Sequence, residues 1–225
     1  WSSTIPEHVE YAIDNGRFAA TTQNKPWCKD SFFGLLEKAR KAARLPRWVA
    51  VPDTVGSAMQ TIDEWHQWKA NKDFMSFGFR LAFVAQDGIE PDDVPSDADV
   101  VFIGGTRLWK MRNLWKLCHA FPRVHVGAIN GTLDLWKCHD AGAESVDGTG
   151  WFRREPQRRI GLLHYLHRSS LQLGPRQKRL FAMWQAEATG ATYSHDIARH
   201  ALHGGAAPAV DPAAVAHEKQ VREGK

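Results

Sequence analysis

The chain of 225 residues is 43% hydrophobic and 24% charged, enough to bury one substantial core, and it contains no apolar stretch near the roughly 20 residues that a membrane helix needs. Its three cysteines, Cys28, Cys118 and Cys138, are too few and too widely spaced for a disulfide framework or a zinc or iron–sulfur motif, so buried free thiols are expected. The formal charge of +4 is unevenly placed: Lys and Arg against Asp and Glu number 17 and 19 in residues 1–150, 8 and 1 in 151–179, and 4 and 5 thereafter.

Six short runs, mostly apolar on both faces in the manner of buried parallel strands, each end on a small polar or acidic residue. Residues 9–13 lead to Asp14, 47–51 to Asp53, 79–85 to Gln86, 99–103 to Gly104 and Gly105, 123–129 to Asn130, and 145–146 to Asp147. Between them the spacing predicts helices over 31–44, 55–72, 108–121 and 133–141, with Thr54 and Thr106 as hydroxyl caps. The alternation predicts an α/β fold, a (β/α)8 TIM-type barrel with an irregular or incomplete first unit, whose strand ends carry the site. One barrel domain is expected over 1–203, closed by polar helices within 176–202, with a flexible tail at 204–225 rich in Ala, Pro and charge. The sequence opens on Trp1 rather than Met, so it is expected to begin inside the natural one. With no secretion signal at its start, it is expected in the cytoplasm.

Four strand ends carry candidate chemistry. Asp14-Asn15-Gly16 and Asp147-Gly148-Thr149-Gly150 put carboxylates into glycine turns, and two carboxylates on one rim suit displacement at an anomeric carbon, one attacking and one moving protons. Gln86 both donates and accepts, as reading a nucleobase edge requires, and Gly104-Gly105-Thr106 lets a ligand approach backbone groups. The chain has no Walker motif, no Gly-x-Ser-x-Gly elbow, no His-Glu-x-x-His and no Rossmann fingerprint, which sets aside the commonest nucleotide hydrolase, esterase, zinc protease and nicotinamide readings. The basic segment after Asp147 reads as a phosphate grip; Lys110, Arg153, Arg154, Arg158 and Arg159 are the expected nucleic-acid contacts. Trp109 and Trp151 follow glycine-bearing strand ends, where core packing competes with stacking on a base.

In order, Asp14-Asn15-Gly16 with Phe18, Pro52-Asp53, Val84-Ala85-Gln86-Asp87-Gly88, Gly104-Gly105-Thr106 and Ser145-Val146-Asp147-Gly148-Thr149 resemble the tRNA-guanine transglycosylase superfamily. The closest resemblance is to the short phage and bacterial branch, the DNA guanine transglycosylases that insert 7-deazaguanines. It covers residues 5–155. The resemblance implies Asp147 as the nucleophile at C1′, Asp14 as general acid/base, Asp53 and Gln86 on the purine edges, and backbone contacts from Gly104 and Gly105. It implies DNA as substrate, tRNA as the alternative, a free 7-deazaguanine such as preQ0 or preQ1 as the incoming base, and a homodimer as one possible assembly. A catalytically silent nucleic-acid-binding barrel is the rival from another class. The chain departs from the family where Asn15 and Arg17 replace Ser and the second Gly of the Asp-Ser-Gly-Gly-Phe-Gln turn, and Ala19 replaces Gln. No cysteine follows Cys138, so the family's structural zinc is not expected, nor any other cofactor.

Overall fold

Five of the six apolar runs form strands: β1 (Val49–Ala50), β2 (Leu81–Ala85), β3 (Val100–Ile103), β4 (Val124–Val126) and β5 (Ser145–Val146). The computed structural model describes residues 9–152 and 156–169. The helices are α1 (Arg17–Thr22), α2 (Lys29–Arg40), α3 (Ala58–Ala70), α4 (Lys72–Met75), α5 (Arg107–Ala120), α6 (Thr132–Asp140) and α7 (Pro156–Ser169). The chain divides into two compact units, Trp1–Arg159 and Ile160–Lys225, and the sheet and α1 to α6 belong to the first. The expected helices at 176–202 and the tail at 204–225 lie outside the described residues. Among the described residues no helix is long and apolar enough to cross a membrane.

The strands pair in parallel in sequence order, β1-β2-β3-β4-β5, and Ile13 adds a parallel bridge to Val49 where the first run was expected. The sheet is curled into half a barrel, and side-chain contacts show how strongly. The rings of Trp48 and His125 lie 4.9 Å apart although β1 and β4 are three strand spacings apart, about 14 Å in a flat sheet. At the opposite end from the candidate site, Arg47 before β1 bonds Glu144 before β5, and Arg123 before β4 holds the same carboxylate at 2.9 and 3.0 Å. Inside the curl, Trp48, Ala50, Ala82, Val84 and Val100 form one buried cluster with Phe102 packed against it. On the outer face Phe83 meets Trp65 of α3 edge-on at 5.6 Å. Full burial of such side chains contributes roughly 1.5–3 kcal/mol each.

Arg123 and Arg47 hold the Glu144 carboxyl below its ordinary range. A lowered folded value gives stability that is present above the ordinary glutamate range and lost as pH falls through the folded value. Glu144→Gln is therefore expected to cost about 1 kcal/mol at pH 7, since the pair is partly screened. It should also flatten the loss of stability toward acid, as read by urea unfolding at pH 7 and pH 4.

Helix boundaries differ from expectation where caps decide them. Ser57, not Thr54, caps α3, its hydroxyl accepting from Gln60 N–H at 3.4 Å, while Thr54 exchanges bonds with the Thr61 hydroxyl. Thr106 caps α5 as expected. The six residues of α1 were not foreseen: they carry no apolar periodicity, and the helix starts from Gly16 at φ 78° without a side-chain cap. Of the cysteines only Cys138 is buried; Cys28 is exposed at the N-terminus of α2, contrary to expectation, because its sulfur caps Ser31 N–H there.

Candidate active site

Strand register builds one rim of the curl. Val84, Phe102, His125 and Ser145 are successive partners across β2 to β5, so two residues further on Gln86, Gly104, Gly127 and Asp147 stand side by side at the strand ends. The two middle positions are glycine, and both are close-packed. A Cβ at Gly127 would overlap the Phe102 ring, and one at Gly104 would press on Val84 and Gln86 at 3.0 Å. A side-chain-free floor is left between Gln86 and Asp147.

Asp147 is held by three neighbours without being covered. Its Oδ1 accepts Ala128 N–H at 2.6 Å, its Oδ2 lies 3.3 Å from His125 Nε2, and its own N–H donates to Val126 O at 3.2 Å. His125 is buried between Trp48 and Phe102, and its Nδ1 lies 2.8 Å from the Ser145 hydroxyl. A hydroxyl donated to Nδ1 leaves the ring proton on Nε2, facing Asp147. Burial works against ionisation of Asp147, but the His125 bond, the Ala128 N–H and the positive charge of Lys110 outweigh it and hold the carboxyl below its ordinary range. Its side chain remains 55% exposed, open to an incoming electrophile.

Asp14 leaves the sheet one residue after the Ile13 bridge. Its surface is open, yet protein surrounds it on most sides; this desolvation, with the charge of Asp147 added, pushes its carboxyl above the ordinary range. The two rim carboxylates therefore sit in environments that pull their protonation apart, the arrangement that separates an ionised group from a proton carrier. The turn bearing Asp14 is anchored by Trp27, whose indole N–H donates to Asn15 O at 2.8 Å while its ring meets Phe32 and Trp68. Arg17 stacks on Trp27 at 4.4 Å and pairs with Glu64 at 2.9 Å. A cleft of about 320 Å³ opens beside Asp14, lined among others by Gln23, Trp27, Cys28 and Phe32.

Asp53 and Gln86 meet, in a buried chain of polar groups. Asp53 Oδ1 accepts from Asn15 Nδ2 at 2.8 Å and Oδ2 from Gln86 Nε2 at 2.6 Å; Gln86 Oε1 in turn accepts Gly56 N–H at 3.0 Å. Burial, assisted by the charge of Asp14, raises the Asp53 carboxyl against the pull of the two amides. Each oxygen of Asp53 keeps a further lone pair for a ligand. Gly104 donates its N–H to Ala85 O at 2.9 Å, so that donor is already used. Gly105 takes φ 68° and lies against Asp87, whose carboxylate accepts Thr106 N–H at 2.7 Å and the Thr106 hydroxyl at 2.5 Å. The glycines after Asp147 serve close approach of chain to chain: a Cβ at Gly148 would overlap Ile129 O.

The expected phosphate contacts are placed differently. Lys110 is 5% exposed and its ammonium donates to Gly127 O, inside the protein rather than toward a phosphate. Arg158 is half-buried near Gly150 and Arg159 is exposed, both on α7, while Arg153 and Arg154 lie outside the described residues. Trp151 is buried. Among the described residues no group of three or more His, Cys, Asp or Glu side chains converges as a metal site.

Ala128 sits at φ 57°, a left-handed conformation that costs a residue with a side chain roughly 1–2 kcal/mol. Ala128→Gly is therefore expected to leave stability unchanged or raise it by up to about 1 kcal/mol in urea unfolding, where the same change inside a helix or strand lowers it. No family model and no curated protein matches the chain.

Proposed function

We propose that the protein exchanges guanine in DNA for a 7-deazaguanine of the preQ0 or preQ1 type, with Asp147 as nucleophile and Asp14 as general acid/base. The observation that carries this reading is the pair of rim carboxylates in contrasting surroundings, Asp147 gripped by Ala128 N–H and His125 Nε2, which hold its carboxyl below the ordinary range, and Asp14 set in desolvating surroundings that push its carboxyl above it. An Asp147 oxygen bonds C1′ as the C1′–N9 bond breaks, the electron pair stays with the purine, and Asp14 protonates it. The incoming base returns a proton to Asp14, its ring nitrogen attacks C1′, and the Asp147 ester bond breaks to restore the carboxylate.

Asp53, with Gln86 orienting it, is proposed to accept the N1–H and exocyclic amine of guanine over the glycine floor. The proposed complete architecture is a (β/α)8 barrel, of which β1 to β5 are five consecutive strands and the Ile13 bridge marks the place of the one before them. Duplex substrate must release its base from the stack. Phe18, Met59, Leu108 and Leu133, each the second residue of a helix starting at this rim, are 61%, 78%, 63% and 78% exposed and supply apolar surface for the unstacked neighbours.

Exchange of radiolabelled guanine into duplex DNA, single-stranded DNA and tRNA, assayed in parallel, tests this. Incorporation into DNA alone supports the proposal. Incorporation into tRNA alone assigns the alternative substrate to the same residues, and none anywhere with nucleic-acid binding retained overturns the exchange reading in favour of a silent binder.

A further inference from the structure

A buried lysine stands directly behind the peptide that grips Asp147. Lys110 lies on α5 with Leu114 and Leu117 on the same buried stripe, and its Nζ donates to Gly127 O. The carbonyl of Gly127 and the N–H of Ala128 belong to one peptide unit, and that N–H is the donor to Asp147 Oδ1 at 2.6 Å. We infer that Lys110 is a positioning residue for Asp147, fixing the orientation of the Gly127–Ala128 peptide by its carbonyl so that the opposite end of the same peptide presents its N–H to the carboxylate. The word nucleophile for Asp147 rests on the function proposed above; the positioning does not.

The peptide needs such a restraint. Rotating it by half a turn would carry Ala128 from φ 57° to a negative φ that suits any residue, so the local backbone preference favours the flip. The flipped peptide would aim a carbonyl oxygen at the Asp147 carboxylate, two like partial charges in contact. A charge-assisted bond from a desolvated ammonium to the carbonyl opposes the flip, and it polarises the peptide so that its N–H becomes a better donor. Burying the ammonium is costly and pulls its pKa below the ordinary lysine range; the carboxylates of Asp147 at the end of β5, Asp134 on α6 and Asp87 at the end of β2 oppose that shift in part. Asp147 in turn faces His125 on β4 and Asp14 beyond the Ile13 bridge. A phosphate-binding lysine would have no reason to lie in this position.

The test compares Lys110→Met, which keeps the length and removes charge and donor, with Lys110→Gln, which keeps a donor without charge. In protein labelled with ¹³C at aspartate carboxyls, and with Asp147→Asn for assignment, the Asp147 titration should move to higher pH in Lys110→Met and by less in Lys110→Gln. Exchange kinetics should show the acid limb moving the same way, with kcat falling about 10- to 100-fold and KM changing little. An Asp147 titration unchanged in either folded variant would overturn the inference, as would equal losses in both variants with no movement of the acid limb, the mark of a structural lysine. If the wild type exchanges no base, the function reading fails, and the carboxyl titration still decides the role of Lys110.

Discussion

Asp147→Asn is expected to reduce base exchange by at least about 10³-fold while leaving nucleic-acid binding within a few-fold of wild type. The substitution is nearly isosteric, and the surrounding bonds can adapt to it. The amide oxygen can accept Ala128 N–H as Oδ1 does now, and the amide N–H₂ then faces His125 Nε2. The imidazole accommodates this by moving its proton to Nδ1, which donates to the Ser145 hydroxyl 2.8 Å away. The fold is thereby preserved, and only the proposed nucleophile is lost. A variant exchanging guanine at the wild-type rate would remove Asp147 from the mechanism.

The same pair of carboxylates sets the pH dependence. The proposed exchange needs Asp147 ionised and Asp14 able to give a proton. Since Asp147 is held below and Asp14 above the ordinary aspartate range, activity should rise with pH through an acid limb below that range and fall through a basic limb above it. Asp14→Asn should abolish the basic limb along with most of the rate. An unchanged basic limb in that variant would assign it to another group.

The strands and their order are legible in the sequence because residues buried on both faces leave continuous apolar runs, and 79–85 and 99–103 hold β2 and β3 with little trimming. The places of Asp14 after the Ile13 bridge and of Asp147 after β5 are legible because run ends followed by glycine are visible locally. His125 is not legible there, because a polar residue alternating with valines is ordinary strand pattern and its partner Ser145 lies 20 residues away, joined only by register. Lys110 was misplaced for a different reason. As a lysine it counted among the expected nucleic-acid contacts, but the spacing of Lys110, Leu114 and Leu117 puts it on the apolar stripe of its helix. The pairing of Asp53 with Asn15 and Gln86 depends on the curl of the sheet, which no single segment encodes.

Asp53→Ala is expected to cost about 2–4 kcal/mol of stability in urea unfolding, more than any surface substitution, because it leaves buried amide donors without their acceptor. Gln86 Nε2 loses a 2.6 Å bond, and Asn15 Nδ2 keeps only its bond to Val51 O at 2.9 Å. Asp53→Asn should cost less, about 1–3 kcal/mol, since the new amide accepts from one neighbour and confronts the other donor to donor. The two variants share a pH signature opposite to that of Glu144→Gln. With its folded value raised, the Asp53 carboxyl binds its proton more tightly in the native protein, so its contribution is fully present below the ordinary aspartate range and declines as pH rises through the folded value. The deficit of Asp53→Asn should therefore be largest in acid and shrink toward neutrality. A deficit that grows with pH would mean that Asp53 is stabilised as a carboxylate, and the desolvation that sets it beside Asp14 would not be what governs this rim.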